Sequence, residues 1–409
     1  MRFRLLPDGA TDDARVLLGA RGLRAFGDGF ISLLLPFYLT LLGFSAVEVG
    51  LVVTATLLGA GATTFAAGFL AHRYGAPRLL GTGAVLTCAT GIALIFAQDF
   101  WPLVALALVG TLNPTTGDVT LFAPLEHALL TRSAPARSRT ALFARYSVVG
   151  SLVVALGSQA AAVPALLRTW SGIDIKLAVQ AMFVLYACIG IACFLAYRRL
   201  SPVPEARAET RGAPLRESRS TVYKLAALFS LDAFGGGFVA QSLLALWLFQ
   251  RFDLSIAAAA TIFFWTGIFT ALSQLASPWV AARLGLVKTM VYTHVPANAL
   301  LMAVPFMPAL EPAIVLLCVR AFFSSMDVPA RSSYVMAVVT AAERPAAASM
   351  TVVPRSLASA ASPALAGYLL ALSPFGWPLV AAGALKLTYD VLLLALFSRV
   401  KPPEELGRE

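Results

Sequence analysis

Charge is scarce in this chain of 409 residues: Asp, Glu, Lys and Arg together supply 13% of it, about half the roughly 25% of an ordinary soluble domain. That scarcity disfavours a soluble enzyme, a nucleic-acid-binding module and a disordered chain alike. Cysteine is equally sparse. Cys88, Cys188, Cys193 and Cys318 fall inside apolar runs without CxxC spacing, which indicates neither a disulfide framework nor a zinc site; they read as small apolar packing residues. Three histidines and no acid cluster at metal-ligand spacing argue against a metal centre, and no cofactor is expected. No G-x-x-x-x-G-K-[ST] segment occurs, so ATP hydrolysis is not expected either. The first apolar run is too long for a cleavable signal peptide and lacks a small-residue cleavage pattern, so it is expected to remain as the first spanning helix.

Apolar sequence is what the chain has in abundance, 59% of its residues. A helix crossing the hydrocarbon needs about 20 such residues, so twelve crossings use about 240 and leave about 170 for loops and ends. Apolar runs between Gly, Pro and charged interruptions predict twelve helices, near 15–42, 46–71, 78–97, 102–130, 138–164, 177–197, 221–250, 255–282, 288–307, 312–340, 345–372 and 377–399. The long polar stretch 198–220, rich in Arg, Pro and Ser, is not expected to fold alone. It separates two six-helix bundles, 1–197 and 221–409. With both termini in the cytoplasm, the cytoplasmic segments hold 21 of the 31 Lys and Arg residues and the external loops three, Arg168, Lys176 and Arg251. This is the positive-inside pattern. The net charge of +10 therefore reports orientation, and no nucleic-acid partner is expected.

The halves repeat one another at an offset of about 208–210 residues. LRAFGDGF (23–30) aligns with LDAFGGGF (231–238), LAHRYG (70–75) with VAARLG (280–285), GDV (117–119) with MDV (326–328), and Arg145 with Arg355. Parallel six-helix repeats are a transporter architecture. Between helices 2 and 3, GFLAHRYGAPRLL (68–80) resembles the signature loop of the major facilitator superfamily, G-x-L-a-D-R-x-G-r-k. Gly68, Leu70, Arg73 and Gly75 match, His72 stands at the acid position, and the following base is displaced to Arg78. The resemblance covers nearly the whole chain and implies an all-α membrane fold of twelve helices in two pseudo-symmetric six-helix bundles. Helix 5 (SVVGSLVVALGSQAAAVP, 147–164) lacks the Gly-Pro motif typical of the family's drug/proton antiporters.

A charge at the bilayer centre costs about 2.5–3.5 kcal/mol on insertion scales, so each one kept there should have a partner or face a water-filled cavity. A rise of about 1.5 Å per residue places Arg24, Asp28 and Asp232 near the midplane and Arg320 below the outer surface. The resemblance implies that helices 1, 4, 7 and 10 line the cavity, where these four could touch substrate and coupling proton. Alternatively Arg24 and Asp28, at i,i+4, neutralise each other, and Asp232 forms a structural pair. Nearer the cytoplasm, Asp118, Arg145, Asp327, Arg331 and Arg355 are candidates for the inner gate that the resemblance assigns to helices 4, 5, 10 and 11. Their bridges could run across the halves (Asp118 with Arg355, Asp327 with Arg145) or within each half. Lys386 and Asp390, also at i,i+4, read as a self-neutralised structural pair. Glycines 235–237 read first as close helix packing, second as a loosened helix 7. His127 and His294 are possible proton relays.

These features predict a monomeric secondary transporter of the bacterial inner membrane. It would move a small polar organic anion or zwitterion by alternating access, coupled to protons. Two alternatives are efflux of hydrophobic or cationic compounds and a non-transporting scaffold or receptor on the same fold.

Overall fold

In the computed structural model, which describes residues 6, 9–115, 120–201, 215–340, 343–398 and 400, the apolar runs become sixteen α-helices and one 3-10 turn, with no strand among the described residues. They fall into two compact units, Met1–Glu209 with Leu254–Phe264 and Thr210–Asp253 with Trp265–Glu409. Six expected spans lie in the first half of the chain: α1 (Asp12–Leu41), α2 (Ala46–Tyr74), α3 (Ala76–Phe96), α4 with α5 (Phe100–Val109, Phe122–Arg132), α6 with α7 (Ala136–Ala160, Val163–Ser171) and α8 (Ile175–Tyr197). The second half supplies α9 with α10 (Arg219–Gly237, Gln241–Phe252), α11 (Ile256–Leu284), α12 (Leu286–Ala303), α13 with α14 (Leu310–Phe323, Asp327–Ala337), α15 (Arg344–Leu372) and α16 (Trp377–Phe397). The fold is that of a twelve-span, all-α membrane protein.

Three expected spans are broken in two: the fourth across Gly110 and Asn113-Pro114, the seventh after Gly235–Gly237, and the tenth at Ser324–Met326. The fifth, expected to 164, ends at Ala160, and a further helix, Val163–Ser171, continues beyond it. Glycine and proline weaken a helix interior, and irregular backbone at membrane depth is tolerated where it lines a cavity or is buried in protein. Eight stretches of described residues are long and apolar enough to cross a membrane. The first span falls outside that set because it carries Arg21, Arg24 and Asp28, all of them buried.

Packing repeats as the sequence does. In the first unit α1 packs on α6 and α8, and α3 packs on α8; in the second α9 packs on α15 and α16, and α12 packs on α16. These are the same pairings of spans, 1 with 5 and 6 and 3 with 6, made twice. The repeated FGxGF segment has a role in them. A Cβ on Gly29 would run into the α6 backbone at Val154 and Ser158, and one on Gly157 would run into Phe26. Gly237, the repeat partner of Gly29, meets Ser359 and Ser362 of α15 in the same way. Small residues allow such close backbone approach, which drives helix association where no water is expelled. Gly75 and Gly285, in the other repeated motif, have φ of +77° and +84°, a conformation essentially confined to glycine. Each turns the chain from one helix into the next within a single residue.

Beyond the linker, the Glu343 carboxylate, just before α15, accepts the backbone N–H groups of Arg216 (2.6 Å), Glu217 (3.0 Å) and Ser218 (3.0 Å). These bonds, that from Arg216 foremost, hold its carboxyl down at about 2, against an ordinary 4.5. The group is depressed in the fold, so its contribution is complete above about 4.5 and lost as pH falls toward about 2. Hydrogen exchange at these three amides, corrected for intrinsic rate, should stay slow from neutral pH down to about 4 and quicken on approach to about 2. Glu343→Gln should speed it at neutral pH; equal rates in variant and wild type would contradict the tie.

Candidate functional site

Each unit encloses a buried polar network against its central helix. In the first, Arg24 of α1 is ion-paired with Glu126 of α5, and both are buried. Glu126 also accepts the hydroxyls of Tyr146 at 2.5 Å and Tyr197 at 2.7 Å, while Arg24 Nε donates to the Tyr197 oxygen at 3.1 Å. The guanidinium lies 4.1 Å from the centroid of the Phe122 ring, where the ring's quadrupole attracts it. Arg24 is thus neutralised from α5, and its expected alternative partner Asp28 instead accepts Asn113 Nδ2 at 3.2 Å. Asn113 sits in the break between α4 and α5, which also delivers Thr111 and Thr120. With Arg24, Asp28, Thr87 and Tyr186, those two threonines line a narrow cleft.

In the second unit Asp232 of α9 accepts Arg331 Nη1 at 3.0 Å and Lys386 Nζ at 2.6 Å. Arg331 also reaches Asp327 at 2.5 Å, one turn earlier on α14. His294 of α12 lies between two carboxylates, with Nδ1 2.9 Å from Asp390 and Nε2 3.8 Å from Asp232. Asn298 donates to the other Asp390 oxygen at 3.0 Å. The expected self-neutralised pair on helix 12 therefore does not form. Lys386 crosses to Asp232, and Asp390 turns to His294 and Asn298, because the neighbouring helices offer buried partners that lipid would not.

The two networks share a plan with the charges exchanged. Asp232 is the repeat partner of Arg24, and Arg331 and Glu126 each occupy the fifth position of an 11-residue helix that follows a break. The same pair of spans is bridged in both units, base to acid in one and acid to base in the other.

Other expected residues stand apart. Arg320 makes no ion pair among the described residues, and its Nε is buried without a hydrogen-bond partner, as are Arg145 Nη1 and Arg355 Nε. Arg355 lies within electrostatic reach of Arg331, Asp232 and Asp327. Asp327 is bonded within its own helix to Arg331. Asp118 and the side chain of His72 lie outside the described residues. In the signature loop, Gly68, Leu70, Arg73 and Arg78 are exposed, and the Arg73 guanidinium lies 5.5 Å from the Tyr74 ring centroid. Glu126, Tyr146 and Tyr197 are members that sequence reasoning left out of the site, and the pairing of His294, read only as a possible proton relay, with Asp390 was not foreseen. A buried acid and tyrosines on otherwise apolar helices were the available signal.

Spanning helices packed around buried charge are the architecture of a membrane transporter. Residues 17–321 match the Major Facilitator Superfamily, and the chain belongs to that family. It is 22% identical over 424 residues to the uncharacterized membrane protein YJR124C of Saccharomyces cerevisiae, covering 95% of this chain and 94% of that one. Among solved structures, it resembles the nucleoside transporter NupG (13% identity, TM-score 0.71, covering 95% of this chain and 99% of that one). It also resembles the human organic anion transporter MFSD10 (17% identity, TM-score 0.61, covering 93% and 99%). At these identities the likeness is one of fold.

Proposed function

We propose that this chain is a secondary active transporter that moves a small polar organic anion or zwitterion by alternating access, coupled to protons. One observation carries the reading: the first-unit pocket sets a fixed guanidinium and a carboxylate among threonine and tyrosine hydroxyls. Arginine holds a carboxylate or phosphate through charge-assisted hydrogen bonds, and an anion reaching Arg24 would compete with Glu126, which neutralises it in this structure. Hydroxyls complete the recognition of a polar body, while Asp28 exchanges a proton when its neighbours move. One buried guanidinium nitrogen each of Arg145, Arg320 and Arg355 has no hydrogen-bond partner among the described residues, which adds to the case for an anion, since such groups are costly to leave unmet. Polar organic solutes are also the cargo named for NupG and MFSD10. With 21 basic residues assigned to one side against three, both termini face the cytoplasm, in the plasma membrane.

Thermal-shift screening of the purified protein should find stabilisation by carboxylate- or phosphate-bearing metabolites. Uptake of those metabolites into proteoliposomes should be driven by a pH gradient and fall about tenfold or more in Asp28→Asn, equivalent to about 1.4 kcal/mol. Stabilisation by hydrophobic cations alone would overturn the substrate class. Full gradient-driven uptake in both Asp28→Asn and Asp232→Asn would overturn the coupling.

A further inference from the structure

Asp390 is fully buried, and its hydrogen-bond partners are His294 and Asn298. Neither need carry a charge. The one cation on its own helix at bonding distance in sequence, Lys386 four residues earlier, is committed to Asp232. An ionised Asp390 beside a neutral imidazole would leave a carboxylate without an adjacent cation inside the membrane, where an unpaired charge is costly. One proton held between imidazole and carboxyl, across their 2.9 Å contact, would remove that cost, and the contact suits either arrangement. Asp232 has no such need, because Arg331 and Lys386 both reach it.

We propose that His294 and Asp390 form a one-proton site, and that its occupancy decides whether Lys386 is bonded to Asp232 or to Asp390. The inference rests on the proton-coupled reading and gives it a location on spans 9 and 12, outside the cavity-lining spans that the family resemblance implies. When the proton leaves to water, the Lys386 ammonium takes its place as the positive charge at Asp390, reached by i,i+4 spacing on α16. Asp232 then keeps Arg331 alone. No heavy-atom bond changes, and the charge carried out by the proton is replaced by the one that moves in.

The surroundings fit that exchange. The Lys386 stem runs past Gly235 and Gly236, where an added Cβ would meet its Cγ at 3.1 Å and its Nζ at 3.8 Å. These glycines leave a slot for the lysine next to the break between α9 and α10, so trading Lys386 away from Asp232 unties α16 from α9 where α9 is already interrupted. Asp232 from α9 and Tyr389 from α16 lie against the pair. Asp327 and Arg331 from α14, Arg355 from α15 and Lys386 from α16 in turn surround Asp232 and Tyr389. From α13, which also packs on α12, Glu311, Cys318 and Arg320 bond to neither member.

The test uses protons alone as the probe, on the full chain in lipid nanodiscs with 15N-labelled histidine. The chain has three histidines, and His294→Gln assigns the signal. The His294 ring should report loss of the shared proton through a pH-dependent change in its 15N shifts. Asp390→Asn and Lys386→Met should each change its proton affinity about tenfold or more, a midpoint shift of about one pH unit, while Asp28→Asn in the other unit should not. His294 ring 15N shifts that are constant with pH, showing change of neither protonation nor tautomer, would overturn the proposal without any variant, and so would a midpoint indifferent to both Asp390 and Lys386. Should His294 titrate as expected while wild-type uptake ignores an imposed pH gradient, the proton-coupled reading of transport fails and the site stands.

Discussion

Replacing Glu126 with Ala is expected to lower the stability of the first unit by about 3–5 kcal/mol, the usual penalty for stranding one member of a buried ion pair. Three groups lose their acceptor at once. Arg24 keeps a charge at membrane depth, and the hydroxyls of Tyr146 and Tyr197 lose bonds of 2.5 and 2.7 Å. The Phe122 ring under the guanidinium offsets part of this, since a desolvated cation–π contact is worth about 2 kcal/mol. Removing both charges, as in Arg24→Leu with Glu126→Leu, should cost less than Glu126→Ala alone, because no ion is then left unpaired. The second unit suggests a sharper variant. Arg24→Asp with Glu126→Arg reproduces the signs found at Asp232 and Arg331, and should be better tolerated than either single reversal. The readout is the fraction of monodisperse protein surviving a heating series. An unchanged midpoint in Glu126→Ala, or a double reversal no better than the sum of its parts, contradicts the pairing.

That exchange of signs explains where sequence reading stopped. The twelve spans were legible because hydrocarbon thickness sets their length and Gly, Pro and charge mark their ends. The repeat was legible too, because FGxGF and the R-x-G turns answer to fixed backbone requirements: a close crossing at Gly29 and Gly237, and positive φ at Gly75 and Gly285. Charge partners were not legible in the same way. Spacing along a helix suggested Arg24 with Asp28 and Lys386 with Asp390, since i,i+4 neighbours are the only pairs one sequence displays directly. Both acids instead bond to side chains from other spans, Asn113 in the break of the fourth for Asp28 and His294 with Asn298 for Asp390. The i,i+4 bases Arg24 and Lys386 are themselves drawn to acids on other helices, Glu126 and Asp232. Helix breaks were half legible. Gly235–Gly237 carried a loosened helix 7 as the second reading, and Asn113-Pro114 is a recognisable breaker that the expected span 102–130 ran through, whereas Ser324–Met326 contains no strong breaker and depends on tertiary contacts, Ser277 Oγ to the Met326 carbonyl at 2.5 Å and the Ser325 N–H to Ser273 Oγ at 3.3 Å.

Gly29→Val should have an effect of the same size by a different route. A Cβ at this position lands on the α6 backbone at Val154 and Ser158, and backbone cannot rotate away as a side chain can. The helices must separate along the whole crossing. Overpacking of a side-chain core costs about 1–3 kcal/mol, and a backbone clash at a helix crossing should reach or exceed the upper figure. Gly237→Val should do the same to the α9–α15 crossing in the second unit. Gly19→Ala is the control on α1, since nothing lies within 4 Å of its added Cβ, and replacing a helical Gly with Ala gains about 0.5–1 kcal/mol. The consequence extends to the polar network. Tyr146 reaches Glu126 from α6 and Arg24 reaches it from α1, so the distance between α1 and α6 sets whether one carboxylate can serve both. Gly29→Val should therefore strip the network of Tyr146 or Arg24 even where the protein survives purification, whereas Gly19→Ala leaves both in place. Equal yields and melting midpoints for Gly29→Val and wild type would show that the crossing is looser than this, and that the repeated glycine has some other reason to be there.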